Sequence, residues 1–167
     1  QNALFDLIFA AGQDLGIRPF GIKTMMALAL EKSYRLVGRE LSIEYSAFES
    51  GLDRFVHLNK GRFIGRDALA AWRAKGFKNR FVTLEVHGIK DADARGSEPI
   101  FRGGRMAGRV TSGGFGWRVG KSLALAMVEP GAGETGTELE VQILGDKYRA
   151  TVIGESPFDP KNERLRA

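Results

Sequence analysis

The sequence predicts an α+β fold, with a helical or mixed N-terminal segment followed by an antiparallel β-barrel or jelly-roll-like sandwich. Three observations carry that prediction. Apolar residues recur at helical spacing as far as about residue 76. From Phe77 onward they come instead in short runs rich in Val, Ile, Leu and Phe. Steps such as Gly103-Gly104 and Gly145-Asp146 separate those runs, where tight hairpins need backbone freedom. The 167 residues thus divide into 1–76 and 77–167, a length that suits one domain or two small lobes sharing an interface.

In the first part, Leu4, Leu7, Ile8 and Ala11 fall at i, i+3, i+4 and i+7 and give one apolar helix face. Asp14-Leu15-Gly16 breaks that helix, and Arg18-Pro19-Phe20-Gly21 makes a turn. A second helix is predicted over 22–31, with Ile22, Met25, Met26 and Leu30 on one side. The two methionines read as core filler or as a ligand surface. Residues 46–56 are ambiguous, although Phe48, Leu52, Phe55 and Val56 have helix-like spacing. Lys60-Gly61-Arg62 marks a turn. Residues 65–75 form the clearest helix, with Leu69 and Trp72 inward and Gly76 as its stop.

In the second part, strands are predicted at 81–86, 99–102, 106–111, 122–128, 138–144 and 148–153, with a polar loop over 89–98. Six short strands at this spacing suit a small antiparallel barrel or sandwich. The run 111–128, TSGGFGWRVGKSLALAMV, nearly spells a phosphate-cradling loop. Gly120-Lys121-Ser122 is present, but the position five before Gly120 is Phe115, and the apolar run after Ser122 is stopped by Glu129-Pro130-Gly131. A strand, a glycine-rich turn carrying Trp117 and Arg118, and a returning strand fit better. That pair reads as a packed Trp beside a solvated Arg, or as a stacking and pairing surface for a flat anion.

Composition excludes several classes. With no cysteine there is no disulfide framework and no thiolate metal site. His57 and His87 stand thirty positions apart without paired carboxylates, so no metal site is expected. The net charge of +5 is spread evenly, and Arg102, Arg105, Arg109 and Arg118 are the nearest thing to a basic face. No nucleic-acid partner is expected. No apolar run reaches the roughly 20 residues a bilayer crossing needs, so no membrane partner is expected either. The opening Gln1-Asn2-Ala3-Leu4-Phe5 resembles helix interior, which suggests a piece of a longer protein. It lacks a signal segment, and the expected location is cytoplasmic.

Five stretches carry a resemblance to a known family: Arg18-Pro19-Phe20-Gly21; Leu28-Ala29-Leu30-Glu31-Lys32-Ser33-Tyr34-Arg35 with Gly38; Phe63-Ile64-Gly65-Arg66-Asp67-Ala68-Leu69; Thr111-Ser112-Gly113-Gly114-Phe115; and the tail from Ser156-Pro157-Phe158 to Ala167. In this order they resemble the C-terminal part of the glycine-cleavage T-protein (aminomethyltransferase) family. The RPFG turn, the EKSYR segment and the tail look most like the folate-binding half of dimethylglycine and sarcosine dehydrogenases.

The resemblance implies one-carbon transfer by the parent protein. An FAD domain outside these residues oxidises a methylated amine, and tetrahydrofolate captures the carbon. It implies that residues 1–76 are part of the folate-binding domain and 77–167 its C-terminal barrel. The family's catalytic Asp and its pterin-anchoring Glu are expected upstream, so no catalytic residue is expected in this stretch. Met25 aligns with a family Arg, and Glu163 and Arg164 lie near the family's C-terminal substrate contacts, which makes these three the positional matches for cofactor binding. Ala29 stands where the family often has Arg, and Ser33 where it usually has Gly. These residues alone are expected to be inactive and to bind tetrahydrofolate weakly or not at all. The competing readings are a ligand-free interaction or regulatory domain on the same fold, a sulfonium demethylase-type relative, and a nucleic-acid-binding barrel using the Arg102 to Arg118 face. The amine and the oligomeric state stay open.

Overall fold

The computed structural model describes residues 1–167 and sets three α-helices ahead of six strands. The helices are α1 (Asn2–Ala11), α2 (Ile22–Glu31) and α3 (Arg66–Lys75). The stretch between α2 and α3 runs in turns, with a short 3-10 helix at Asp53–Phe55. The strands are β1 (Arg80–Val86), β2 (Pro99–Arg102), β3 (Arg105–Gly116), β4 (Lys121–Val128), β5 (Glu138–Ile143) and β6 (Asp146–Ile153). They close in the order β1-β4-β3-β2-β5-β6 with every pair antiparallel, so the choice between barrel and sandwich resolves to a closed barrel. No helix is long and apolar enough to cross a membrane.

The strands differ in what covers them. β5 alternates, with Leu139, Val141 and Ile143 turned into the barrel and polar residues between them. β1 and β4 are buried on both faces. Val82, Leu84 and Val86 of β1 and Ala124, Ala126 and Val128 of β4 fill the interior. Phe81, Leu123, Leu125 and Met127 point outward into a second, smaller core, which Leu30 at the end of α2 closes. Each such side chain contributes roughly 1.5–3 kcal/mol when fully buried. This second core joins the helical part to the barrel and sets where the candidate site lies.

The 89–98 loop does more than connect. Ala94 is fully buried and joins the barrel interior. A Cβ on Gly113 would run into the Ala94 backbone, so β3 and this loop approach at a distance only glycine allows. β3 itself continues past Thr111 to Gly116, five residues beyond the predicted end.

The apolar face that the spacing gives α1 is not covered, and Leu7 is 69% exposed. Two expectations about the other helices need correction. Met25 and Met26 are not core filler, being 41% and 36% exposed. Trp72 of α3 is 38% exposed rather than inward, and Leu69 is only half-buried. Periodicity fixes which residues share a face, but the surface that covers the face must come from elsewhere. Here the barrel covers only the last turn of α2.

Candidate functional site

Three segments converge at the C-terminal end of α2: the helix end itself, the β3–β4 turn at 117–120, and the tail from 154 to 163. α2 ends with the Tyr34 amide donating back to the Ala29 carbonyl (2.8 Å), which requires a left-handed residue just past the helix. That residue is Ser33, at φ +53°. Glycine takes this conformation without the Cβ penalty, which is the physical reason a Gly suits the position. Ser33 gains compensating contacts: its hydroxyl lies 2.7 Å from Thr83 Oγ1 on β1 and accepts the Ser156 amide at 2.9 Å.

The neighbouring residues fasten the tail. Lys32 Nζ donates to the carbonyls of Phe158 (3.2 Å) and Asp159 (2.7 Å) and to Asn162 Oδ1 (2.7 Å), which uses all three ammonium protons. Ser156 Oγ donates to the Lys32 carbonyl, and the Phe158 amide to the Glu31 carbonyl. Arg35 makes a two-pronged pair with Glu155 (2.8 and 2.8 Å), donates to the Ser50 and Ser33 carbonyls, and lies 3.9 Å over the Phe81 ring. Arg35 therefore has a structural role here.

Glu31 is a functional candidate that the sequence does not single out. Its side chain is 1% exposed, and Oε1 accepts the Arg118 and Val119 amides at 2.6 and 3.3 Å. Oε2 accepts no donor from the protein. Beside it, Trp117 is 80% exposed and packs edge-on against Phe115, with ring centroids 5.0 Å apart. Arg118 and Arg164 both lie over Phe158, at 5.0 and 5.8 Å. Of the three positional matches, Arg164 thus reaches this surface. Glu163 is exposed, with its amide on Asp159 Oδ1, and Met25 sits on α2 about 9 Å along the axis before Glu31.

Two further carboxylates are buried without a cationic partner. Glu40 accepts the Leu36 amide (2.9 Å) and the Ser112 hydroxyl (2.6 Å). Glu49 accepts from the Ser46 amide and hydroxyl on one oxygen and from Lys78, Asn79 and the Asn79 side chain on the other. Burial pushes the Glu49 carboxyl up, but those donors together outweigh it and hold the group below the ordinary carboxylate range. Ser46-Ala47-Phe48-Glu49 has capping-box spacing, the signal that marks this residue in the sequence.

The basic face dissolves into separate contacts. Arg105 pairs with Glu129 at 2.5 Å, which holds the Glu129 carboxyl below its ordinary range. Arg109 pairs with Glu44 and the Tyr45 hydroxyl, and Arg102 donates to the Gly131 carbonyl. Lys121 of the GKS run opens β4 and pairs with Glu85 at 2.7 Å; no helix follows it. His57 is exposed.

Residues 1–60 match the GCVT N-terminal domain, and residues 79–159 match the glycine cleavage T-protein C-terminal barrel domain. The chain belongs to the glycine-cleavage T-protein family. It is similar to the mitochondrial dimethylglycine dehydrogenase of Homo sapiens, 43% identical over 98% of this chain and 19% of that protein. It is also similar to the aminomethyltransferase of Moorella thermoacetica, 41% identical over 90% of this chain and 40% of that one. The crystal structure of glycine cleavage system aminomethyltransferase T from Bartonella henselae shares the fold, with a TM-score of 0.84 and 23% identity over 95% of this chain and 44% of that one. The chain therefore spans less than half the length of these relatives, and it forms part of a T-protein-like aminomethyltransferase module. Ser33, where the family resemblance leads one to expect Gly, falls at the left-handed cap of α2, and its hydroxyl takes up two contacts glycine lacks.

Proposed function

We propose that these residues form the C-terminal part of a folate-binding module whose parent passes a one-carbon unit from a methylated amine to tetrahydrofolate. On this reading the parent is an FAD-linked dimethylglycine or sarcosine dehydrogenase, with the flavin on a separate N-terminal domain. The similarity to dimethylglycine dehydrogenase along nearly the whole chain supports the choice of parent.

One observation carries the ligand reading: a nearly inaccessible carboxylate, Glu31, with one oxygen fixed by two backbone amides and the other without a protein donor. A pterin ring presents a neighbouring amino group and ring N–H, the donor pair a carboxylate accepts best. The family's pterin anchor is expected upstream; Glu31 offers the same chemistry inside this chain. Trp117 supplies an exposed face for stacking, and Arg164, held over Phe158, supplies a cation for the ligand's carboxylate. Glu163 and Met25 flank this surface in sequence, and Met25 adds apolar cover only. Tetrahydrofolate, when bound, supplies the nucleophilic nitrogens that take up the carbon. The residues of this chain orient it and keep its donor edge dry.

The test is anaerobic titration of tetrahydrofolate into the 167-residue chain, read by Trp117 fluorescence with Trp117→Phe as the control. Weak, saturable binding is expected, reduced about tenfold by Glu31→Gln, the loss of one charge-assisted contact. Binding that ignores Glu31→Gln overturns the assignment of the site. No binding even by the full-length parent favours the ligand-free interaction domain instead.

A further inference from the structure

Between α3 and the start of β1 lies a cleft of about 370 Å³, away from the Glu31 surface. Its floor is apolar: the Phe48 and Phe77 rings stand 5.5 Å apart at 31°, with Pro130 beside them. Its rim carries three charges, Arg73, Arg80 and Asp53. They differ from the paired arginines described above. Arg35, Arg105 and Arg109 are each ion-paired, whereas the three rim residues take part in none of the protein's salt bridges. The two arginines are held in place all the same. The Arg73 guanidinium lies 5.7 Å over the Phe48 ring, and the stem of Arg80 packs against Gly133 where a Cβ would collide with it.

Two cations and one anion around an aromatic floor complement a particular chemistry. A simple anion would satisfy the arginines and face Asp53 as a like charge. A simple amine would satisfy Asp53 and face two cations. Only a ligand carrying both charges on an apolar body answers all three groups and the floor together. We propose that this cleft binds a free α-amino acid with an apolar or aromatic side chain. The carboxylate lies between Arg73 and Arg80, the ammonium on Asp53, and the side chain on the Phe48–Phe77 floor. The proposal is independent of the one-carbon reading.

The cleft is open and its charges are hydrated, so a dissociation constant on the order of 1 mM is expected for a ligand of this size. The experiment is an amide NMR titration of the 167-residue chain with L-phenylalanine, 3-phenylpropionate and 2-phenylethylamine. The first is expected to give saturable shifts at Phe77, Asn79 and Arg80, and each of the other two to bind about tenfold more weakly. Asp53→Asn has a signature of its own, weakening L-phenylalanine while strengthening 3-phenylpropionate. Arg73→Gln, on the exposed face of α3, weakens both. Equal affinity for L-phenylalanine and 3-phenylpropionate would mean a plain anion site and overturn the proposal. So would unsaturable shifts, or shifts confined to another part of the protein. The ligand series on the unaltered chain decides by itself, so the test survives a variant that fails to fold.

Discussion

The helical part holds a larger share of apolar residues than the barrel part, yet it is the barrel that buries them. Nearly all of the apolar core lies in the barrel half, where Leu84, Ile100, Leu123 and Val141 are fully buried. Ahead of residue 77, Leu30 is the one buried apolar side chain, while Leu4, Phe5, Leu7, Phe20 and Ile22 stay exposed. What the first part buries is polar: Glu31, Ser33, Glu40, Ser46, Glu49 and Ser50. The barrel is stabilised by excluding water from hydrocarbon, and the 31–50 segment is fixed to it by a directional network. A segment held that way is specific in geometry and sensitive to the loss of single atoms.

The largest expected effect breaks the barrel side of this contrast. Leu84→Ala should cost about 2–5 kcal/mol in urea unfolding, whereas Leu7→Ala on α1 should stay within about 0.5 kcal/mol. Equal losses would mean that α1 is covered in solution. Next comes the network. Lys32→Met removes the donor to three acceptors and should cost about 1.5–3 kcal/mol, with faster hydrogen exchange at the Phe158 amide. Ser33 separates strain from bonding. Ser33→Ala keeps the left-handed backbone and loses both hydroxyl contacts, a cost of about 1–3 kcal/mol; Ser33→Gly also loses them but relaxes the backbone by about 1 kcal/mol, so it should be the milder variant.

The smallest effect is a pH dependence. The Glu49 carboxyl is depressed in the folded state, so its contribution is fully present above the unfolded value of about 4.3 and fades as pH falls through the lower folded value. Acid titration of the unfolding midpoint should therefore be flatter below that point in Glu49→Gln than in the unaltered chain. Parallel curves would mean that Glu49 titrates alike in both states.

The same contrast explains what could be read from the sequence. The strands were legible because short apolar runs and glycine turns are local signals, and the barrel repeats them along the chain. The GKS run was legible as a hairpin because its register failed. The fate of Leu7 or Met25 was not, since an apolar face does not name its cover. Glu31 and Glu40 were not either. An acid in a turn-rich stretch reads as surface, and what buries them is the β3–β4 turn and Ser112, some 70 to 90 residues away in sequence. Glu49 was not singled out either, although Ser46 three residues earlier leaves a local sign of it.

The clamp on the tail also bears on how the protein is made. Lys32 meets Asn162 across 130 residues, and β1 meets β6 at Thr83 and Ile153. During synthesis neither contact exists until those later residues leave the ribosome, so the α2 end waits with its partners missing while the intervening strands emerge. Loop closure of that length is slow, and transiently unpaired strands invite association with other chains. Until the tail emerges, the α2 end is joined to the barrel through Leu30, the Glu31 contacts with the β3–β4 turn and the Ser33–Thr83 contact, without the Lys32 clamp.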